Sequence, residues 1–264
     1  MARLSFRSFL PWLDVLAIAA WGIVLLKFWL TGQLFLLIHP NYNWLTIAAA
    51  FTLLLVSGLK AFFIWRASQR LGRQSSPPMQ HVSLFPPGWG SALMLGMAIA
   101  GLVFTPQAFA SQTALDRGLT DTLTSTRVNP QAFRSSTRSE DKNLIDWIRS
   151  LQVYPEPDAY TGQKAKVQGF VVYPPNLSEQ YFLLTRFVIT CCAADVYPIS
   201  LPVKLAGGDS KTGLPAANRQ TYAADSWVEV EGQMITETLD GRRQLTIQAT
   251  ALKPVPTPKN PYDY

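Results

Sequence analysis

The sequence predicts a membrane-anchored α+β protein: three transmembrane helices followed by a mainly β, small barrel domain. Three observations carry this reading. Apolar residues make up 48% of the 264 residues and charged residues only 15%, against about 25% charged in an ordinary soluble domain. The deficit is local, because residues 1–110 hold seven Lys and Arg and a single acid, Asp14, whereas residues 111–264 hold 16 basic and 16 acidic residues. From Gly162 onward, apolar residues recur with a period of two, the mark of strands with one buried face.

The three spans are predicted at about residues 10–30, 44–65 and 88–110. In the first, an uninterrupted apolar run from Val15 to Leu26 lies between Asp14 and Lys27, and about 20 such residues match the ~30 Å hydrocarbon layer. Trp12 and Trp29 stand at interfacial positions, and Lys27 can snorkel. The second has Trp44 and Trp65 at its ends, and the third lies in a stretch, Gln74 to Leu115, without a charge. Small residues recur in all three, including Gly22, Gly58, Gly96 and Gly101, and such residues let helices approach closely in lipid.

Lys and Arg near span ends are retained in the cytoplasm. Arg3 and Arg7 precede the first span, Arg66, Arg70 and Arg73 follow the second, and the loop between them is uncharged. The N-terminus is therefore expected in the cytoplasm of a multi-pass plasma-membrane protein, with residues 111–264 periplasmic, lumenal or extracellular. Ala108-Phe109-Ala110 also resembles a signal-peptidase site, and cleavage there would leave the C-terminal part on the same side. His39, before Pro40 in the first loop, is a candidate ligand or proton carrier at the membrane surface, or an interfacial residue ending a short apolar segment.

Residues 111–138, rich in Ser, Thr and Gln, suit a linker. In residues 139–264, Ser139 is expected to cap a short amphipathic helix in which Leu144, Ile145, Ile148 and Leu151 share a face. Strands follow around Ala165–Val171, Tyr181–Ile189, Ile199–Val203 and Val228–Leu239, and Asp240-Gly241 predicts a type I′ hairpin into Leu245–Leu252. Five strands in about 90 residues, with Gly169 and Gly232 where strands must bend, fit a closed barrel of OB type, with a small sandwich as the alternative.

The two cysteines are adjacent, which excludes a multi-disulfide scaffold. Cys191 and Cys192 end the second strand, and with Asp195 they offer two soft sulfurs and an oxygen to a thiophilic metal ion such as zinc. Neighbours on a regular strand face opposite ways, so both sulfurs reach one ion only where the chain leaves β geometry. No His follows residue 110, so an open two- or three-ligand site is expected rather than a closed structural one. A redox-active vicinal disulfide and a simple buried cysteine are the competing readings.

The three-span region, Thr31-Gly32 followed by His39-Pro40, Asp146-Trp147, the run Gly162 to Val172 and above all RFVITCCAADVYPISLPV, from Arg186 to Val203, together resemble the YcgQ-like family of bacterial membrane proteins. The resemblance covers nearly the whole chain, and its specific centre is CCAAD preceded by a strand that contains Arg186. It implies a multi-span permease as partner and a link to metal-ion handling. Enzyme chemistry is not expected, since no Gly-rich phosphate loop, Ser/His/Asp set in the exported part or metalloprotease helix is visible. Nucleic acid is not expected as a partner either, because the exported part is neutral. The function expected is that of a permease accessory subunit in the lipid bilayer whose exported domain binds or hands over a thiophilic metal. The alternative is a membrane-tethered thiol redox or interaction module.

Overall fold

The computed structural model describes residues 6–69, 87–118, 138–205 and 221–264. The chain divides into two units, Met1–Gln107 and Ala108–Tyr264.

The first unit holds α1 (Phe6–Leu30), α2 (Asn43–Gln69) and α3 (Trp89–Val103). Helix α1 packs on both α2 and α3. Small residues set these contacts: a side chain at Gly22 would meet the Leu54 Cγ at 2.8 Å, and one at Gly101 would meet Val24 at 3.3 Å. The buried Ser57 hydroxyl donates to the Val15 carbonyl at 2.9 Å, tying α2 to α1. Residues such as Leu55, Phe63, Leu93 and Met97 remain exposed on the helix surfaces.

Two helices are long and apolar enough to cross a membrane, Phe9–Leu30 and Pro40–Gln69. The third predicted span is corrected. Helix α3 has 15 residues, roughly 22 Å at ~1.5 Å per residue, short of the ~30 Å hydrocarbon layer. It stops because Phe104 turns extended (φ −84°, ψ 133°), and Pro106, two residues further on, has no N–H to carry the ladder forward. The absence of charge does not register that exit, since residues 104–110 carry none either. The charges of this unit are also less isolated than snorkelling would leave them. Lys60 of α2 meets Asp14 of α1 at 2.7 Å, Ser91 of α3 donates to the same carboxylate, and Lys27 donates to the Leu102 carbonyl at 2.7 Å.

The second unit begins with the short helix α4 (Ser111–Asp116). Residues Ser139–Asp141 form a 3-10 turn, and the amphipathic helix α5 (Leu144–Val153) begins later than Ser139 predicts. The cap is Asn143, whose side chain accepts the Asp146 N–H at 2.9 Å while Asp146 accepts the Asn143 N–H at 3.2 Å. This reciprocal box satisfies two donors at once, which a Ser four residues upstream cannot match. Leu144, Ile145, Trp147 and Ile148 are buried in the core of the unit.

Among the described residues six strands follow: β1 (Lys164–Val172), β2 (Tyr181–Val188), β3 (Tyr197–Lys204), β4 (Trp227–Leu239), β5 (Arg242–Pro254) and β6 (Tyr262–Asp263). They form one sheet in the order β1-β4-β5-β3-β2-β6, and β2 also pairs with β1. The hydrogen-bonded pairings of the first five strands therefore run in a closed ring. The core inside includes Val167, Phe182, Leu184, Ile199, Leu201, Val230, Met234 and Ile247. Asp240 (φ 50°) and Gly241 (φ 74°) make the β4–β5 turn with two left-handed residues, as a two-residue I′ hairpin requires.

Strand β2 is buried on nearly every residue rather than alternately. Its outer face is covered by an aromatic layer in which Phe187 stacks on Phe170 with ring centroids 5.5 Å apart and meets Phe109 at 5.6 Å. Tyr262 of β6 lies against both Phe109 and Phe187.

Candidate functional site

The site is built where β2 ends. Its last residues pair in parallel with the C-terminal strand, Phe187 with Tyr262 and Val188 with Asp263, and the Ile189 N–H donates to the Asp263 carbonyl at 3.2 Å. Beyond Ile189 the chain leaves β geometry and makes a tight turn closed by the Asp195 N–H donating to the Cys192 carbonyl at 3.0 Å. The Asp195 carboxylate folds back over this turn. One oxygen accepts the Thr190 hydroxyl and, at 2.8 Å, the Cys191 N–H. The other accepts the Cys192 N–H at 3.2 Å.

This turn removes the geometric objection to adjacent cysteines. Their sulfurs lie 3.6 Å apart, and one ligand atom from each of Cys191, Cys192 and Asp195 falls within 4.8 Å of the others. Both cysteines are free thiols, Cys191 exposed and Cys192 half-buried. Acceptance by Asp195, together with the neighbouring Cys192 thiol, pushes the Cys191 thiol up to about 11. At neutral pH it is therefore protonated, a poor nucleophile for thiol exchange. A metal would have to release that proton to bind, which couples affinity to pH.

Burial alone would push the Asp195 carboxyl up. The hydrogen bonds from the Thr190 hydroxyl, the Cys191 thiol and the two cysteine amides outweigh it and hold the carboxyl at about 2. The residues fit a soft ion through the two sulfurs. The carboxylate is engaged by the turn itself, so its first task is to shape the loop, with coordination requiring it to release at least one donor. Sequence reasoning placed Asp195 among the ligands and missed Thr190, because no local spacing rule pairs a Thr hydroxyl with a carboxylate five residues on.

Arg186 is not part of this turn. It projects from β2 toward the C-terminal strand, where its guanidinium meets Asp263 at 3.2 Å and lies over the Trp227 ring at 5.5 Å. Burial pushes the Asp263 carboxyl above its ordinary value, with Arg186 opposing that shift. His39 belongs to the helical unit. It caps the 3-10 turn Pro40–Tyr42, its Nδ1 accepting the Asn41 N–H at 3.1 Å, and its ring meets Tyr42 edge-on at 6.0 Å.

Residues 122–264, over half of the chain, match the family model of the DUF1980 C-terminal domain. The chain belongs to this family. No curated protein matches it. Within this DUF1980 C-terminal domain lie all six strands and the whole cysteine turn.

The Asp195 staple has a pH signature. A carboxyl held at about 2 instead of 3.8 stabilises its turn fully above the ordinary value, and that contribution is lost as pH falls from about 4 through about 2. Amide chemical shifts of Cys191 and Cys192 are therefore expected to titrate with a midpoint near pH 2, and an Asp195→Asn variant to show no such step. A midpoint near 4 in the wild-type chain would mean that the carboxylate does not hold these amides.

Proposed function

We propose that this chain is an accessory subunit of a multi-span membrane permease, and that its C-terminal domain is an OB-like small barrel presenting Cys191 and Cys192 to a thiophilic metal ion such as zinc. The ion is cargo in transit. The observation that carries this reading is the convergence of two free thiols and the Asp195 carboxylate within 4.8 Å on an exposed turn. Two sulfurs bind a soft ion while leaving coordination positions open, which suits capture and release better than permanent storage.

The barrel assignment rests on the ring of pairings from β1 through β4, β5, β3 and β2 back to β1, which leaves no free edge among the five strands. The YcgQ-like identity rests on the CCAAD segment and its flanking strands. A partner is part of the reading because the helical unit offers, among its described residues, no broken helix or internal repeat of the kind that lines a transport path. Gly96 faces open space, with no atom within 4 Å of where a Cβ would stand, so it is a contact point for a partner helix.

A thiol redox module is the second reading, favoured by the 3.6 Å separation of the sulfurs. The raised Cys191 thiol works against it.

The test uses the full chain purified from native membranes. About one zinc or cadmium ion per chain is expected, lost in the Cys191→Ser/Cys192→Ser variant, together with a copurifying multi-span protein whose recovery falls in Gly96→Leu. Absence of metal with a readily formed, reversible Cys191–Cys192 disulfide would favour the redox reading, and purification without a membrane partner would remove the subunit assignment.

A further inference from the structure

The cysteine turn is anchored at both of its roots by residues far away in sequence. At the first root, the Ile189 N–H donates to the Asp263 carbonyl in the C-terminal strand. At the second, immediately after Asp195, the Arg117 guanidinium donates to the carbonyl of Val196. Arg117 closes the segment with which the second unit begins, and that segment is itself held down. Phe109 packs against Phe187 of β2 and Tyr262 of β6, at ring-centroid distances of 5.6 and 6.1 Å, the Ser111 N–H donates to the Asp225 carboxylate at 2.5 Å, and the Arg117 guanidinium lies over the Phe109 ring at 5.1 Å. The guanidinium is thus oriented by an aromatic face on one side and spends a donor on the loop on the other, a use of a planar fork that a point charge serves less well.

We infer that Arg117 is a positioning residue of the cysteine turn, through which the segment 109–117 fixes the second root of the loop that carries Cys191, Cys192 and Asp195. Val196 is buried, so its carbonyl loses a specific partner when the guanidinium is removed, and a buried acceptor without a donor is costly. The turn between the roots is short, and the bonds from the Thr190 hydroxyl and the two cysteine amides converge on Asp195. Slack at Val196 is therefore passed directly to the carboxylate that holds the two cysteine amides. In the first root the bond is between backbone groups and does not depend on side-chain identity, so Arg117 is the point at which a single substitution releases the loop while the strands stay paired.

The inference concerns the same turn as the metal reading but needs no metal, and its test is metal-free so that the two can fail separately. Hydrogen exchange of the Cys191 and Cys192 amides, and the rate at which iodoacetamide modifies Cys191 at fixed pH, are measured in the full chain in detergent. The variants are Arg117→Met, which keeps an apolar stem over Phe109 and removes the donor, and Arg117→Lys, which restores a charged donor. Arg117→Met is expected to speed both processes about tenfold, with β1 and β4 amides such as Val171 and Val230 still protected, and Arg117→Lys to recover part of the effect. Wild-type rates in Arg117→Met would overturn the inference. So would loss of protection in β1 and β4 along with the loop, because Arg117 would then support the whole domain rather than position the turn.

Discussion

A Gly232→Val substitution is expected to unfold the C-terminal domain rather than loosen it. Gly232 stands at the register shift between β4 and β5, where the pairing steps from Glu231↔Ala251 to Gly232↔Ala249. A Cβ at Gly232 would collide with the Gln248 carbonyl oxygen and lie 2.9 Å from its carbon and 3.1 Å from the Ala249 Cα. All three are backbone atoms, so no rotamer change relieves the overlap. The two strands would have to separate where they are paired from Val228↔Pro254 to Leu239↔Arg242, which spans the ring of pairings that encloses the core. The cost is expected to exceed about 4 kcal/mol, in the range reserved for named structural failures and comparable to the whole stability of a marginal domain. Gly162 provides the contrast. Its left-handed φ of 83° faces open space, so Gly162→Ala is expected to cost only about 1 kcal/mol through backbone strain. Thermal unfolding followed by circular dichroism compares the two, and a midpoint for Gly232→Val close to that of the wild type would refute the assignment of the bulge as a close-approach position.

The second large effect is expected at Arg186. Its ion pair with Asp263 leaves only 13% and 10% of the two side chains exposed, so it is not one of the surface pairs whose removal is nearly neutral. Arg186→Met leaves a buried carboxylate without its counter-charge and is expected to cost about 3–5 kcal/mol at neutral pH. The defect should depend on pH in a definite direction. Burial already raises the Asp263 carboxyl in the folded domain, so the stability gained by keeping it protonated is complete below the ordinary value of 3.8 and disappears as pH rises through the higher folded value. Without Arg186 that folded value rises further, and the variant should approach wild-type stability as the medium is acidified. Asp263→Asn in the Arg186→Met background removes the stranded charge, so the double variant is expected to be more stable at neutral pH than Arg186→Met alone. Strictly additive losses in such a cycle would mean that the two side chains do not act as a pair.

Arg186 and Asp263 also show where legibility in the sequence ends. The strand that carries Arg186 is evident from the aromatic and branched run around it, because alternation and residue type are properties of neighbouring positions. The same holds for the apolar helices over 9–30 and 40–69 and for the Asp240-Gly241 hairpin, whose two left-handed residues are written in their identities. Composition likewise separates an apolar, basic N-terminal part from a neutral C-terminal one. These features depend on the local chain, and the local chain determines them.

What the sequence leaves open is which distant group meets which. Asp263 lies 77 positions after Arg186 in the chain and reaches it only because β6 joins β2 in parallel. Asp14 and Lys60, which look like isolated charges at helix ends, become partners because α1 and α2 pack with those turns level. The exit of α3 at Phe104, the capping of α5 by Asn143 and the closure of β2 onto β1 are decided in the same way, by competition among alternatives that composition ranks as equal. At the cysteine turn the residue types announce soft-metal chemistry, but the sequence alone cannot bring both sulfurs to one side. That outcome is produced by the Asp195 carboxylate gathering the Thr190 hydroxyl and the two cysteine amides, charge-assisted hydrogen bonds that turn those donors toward it.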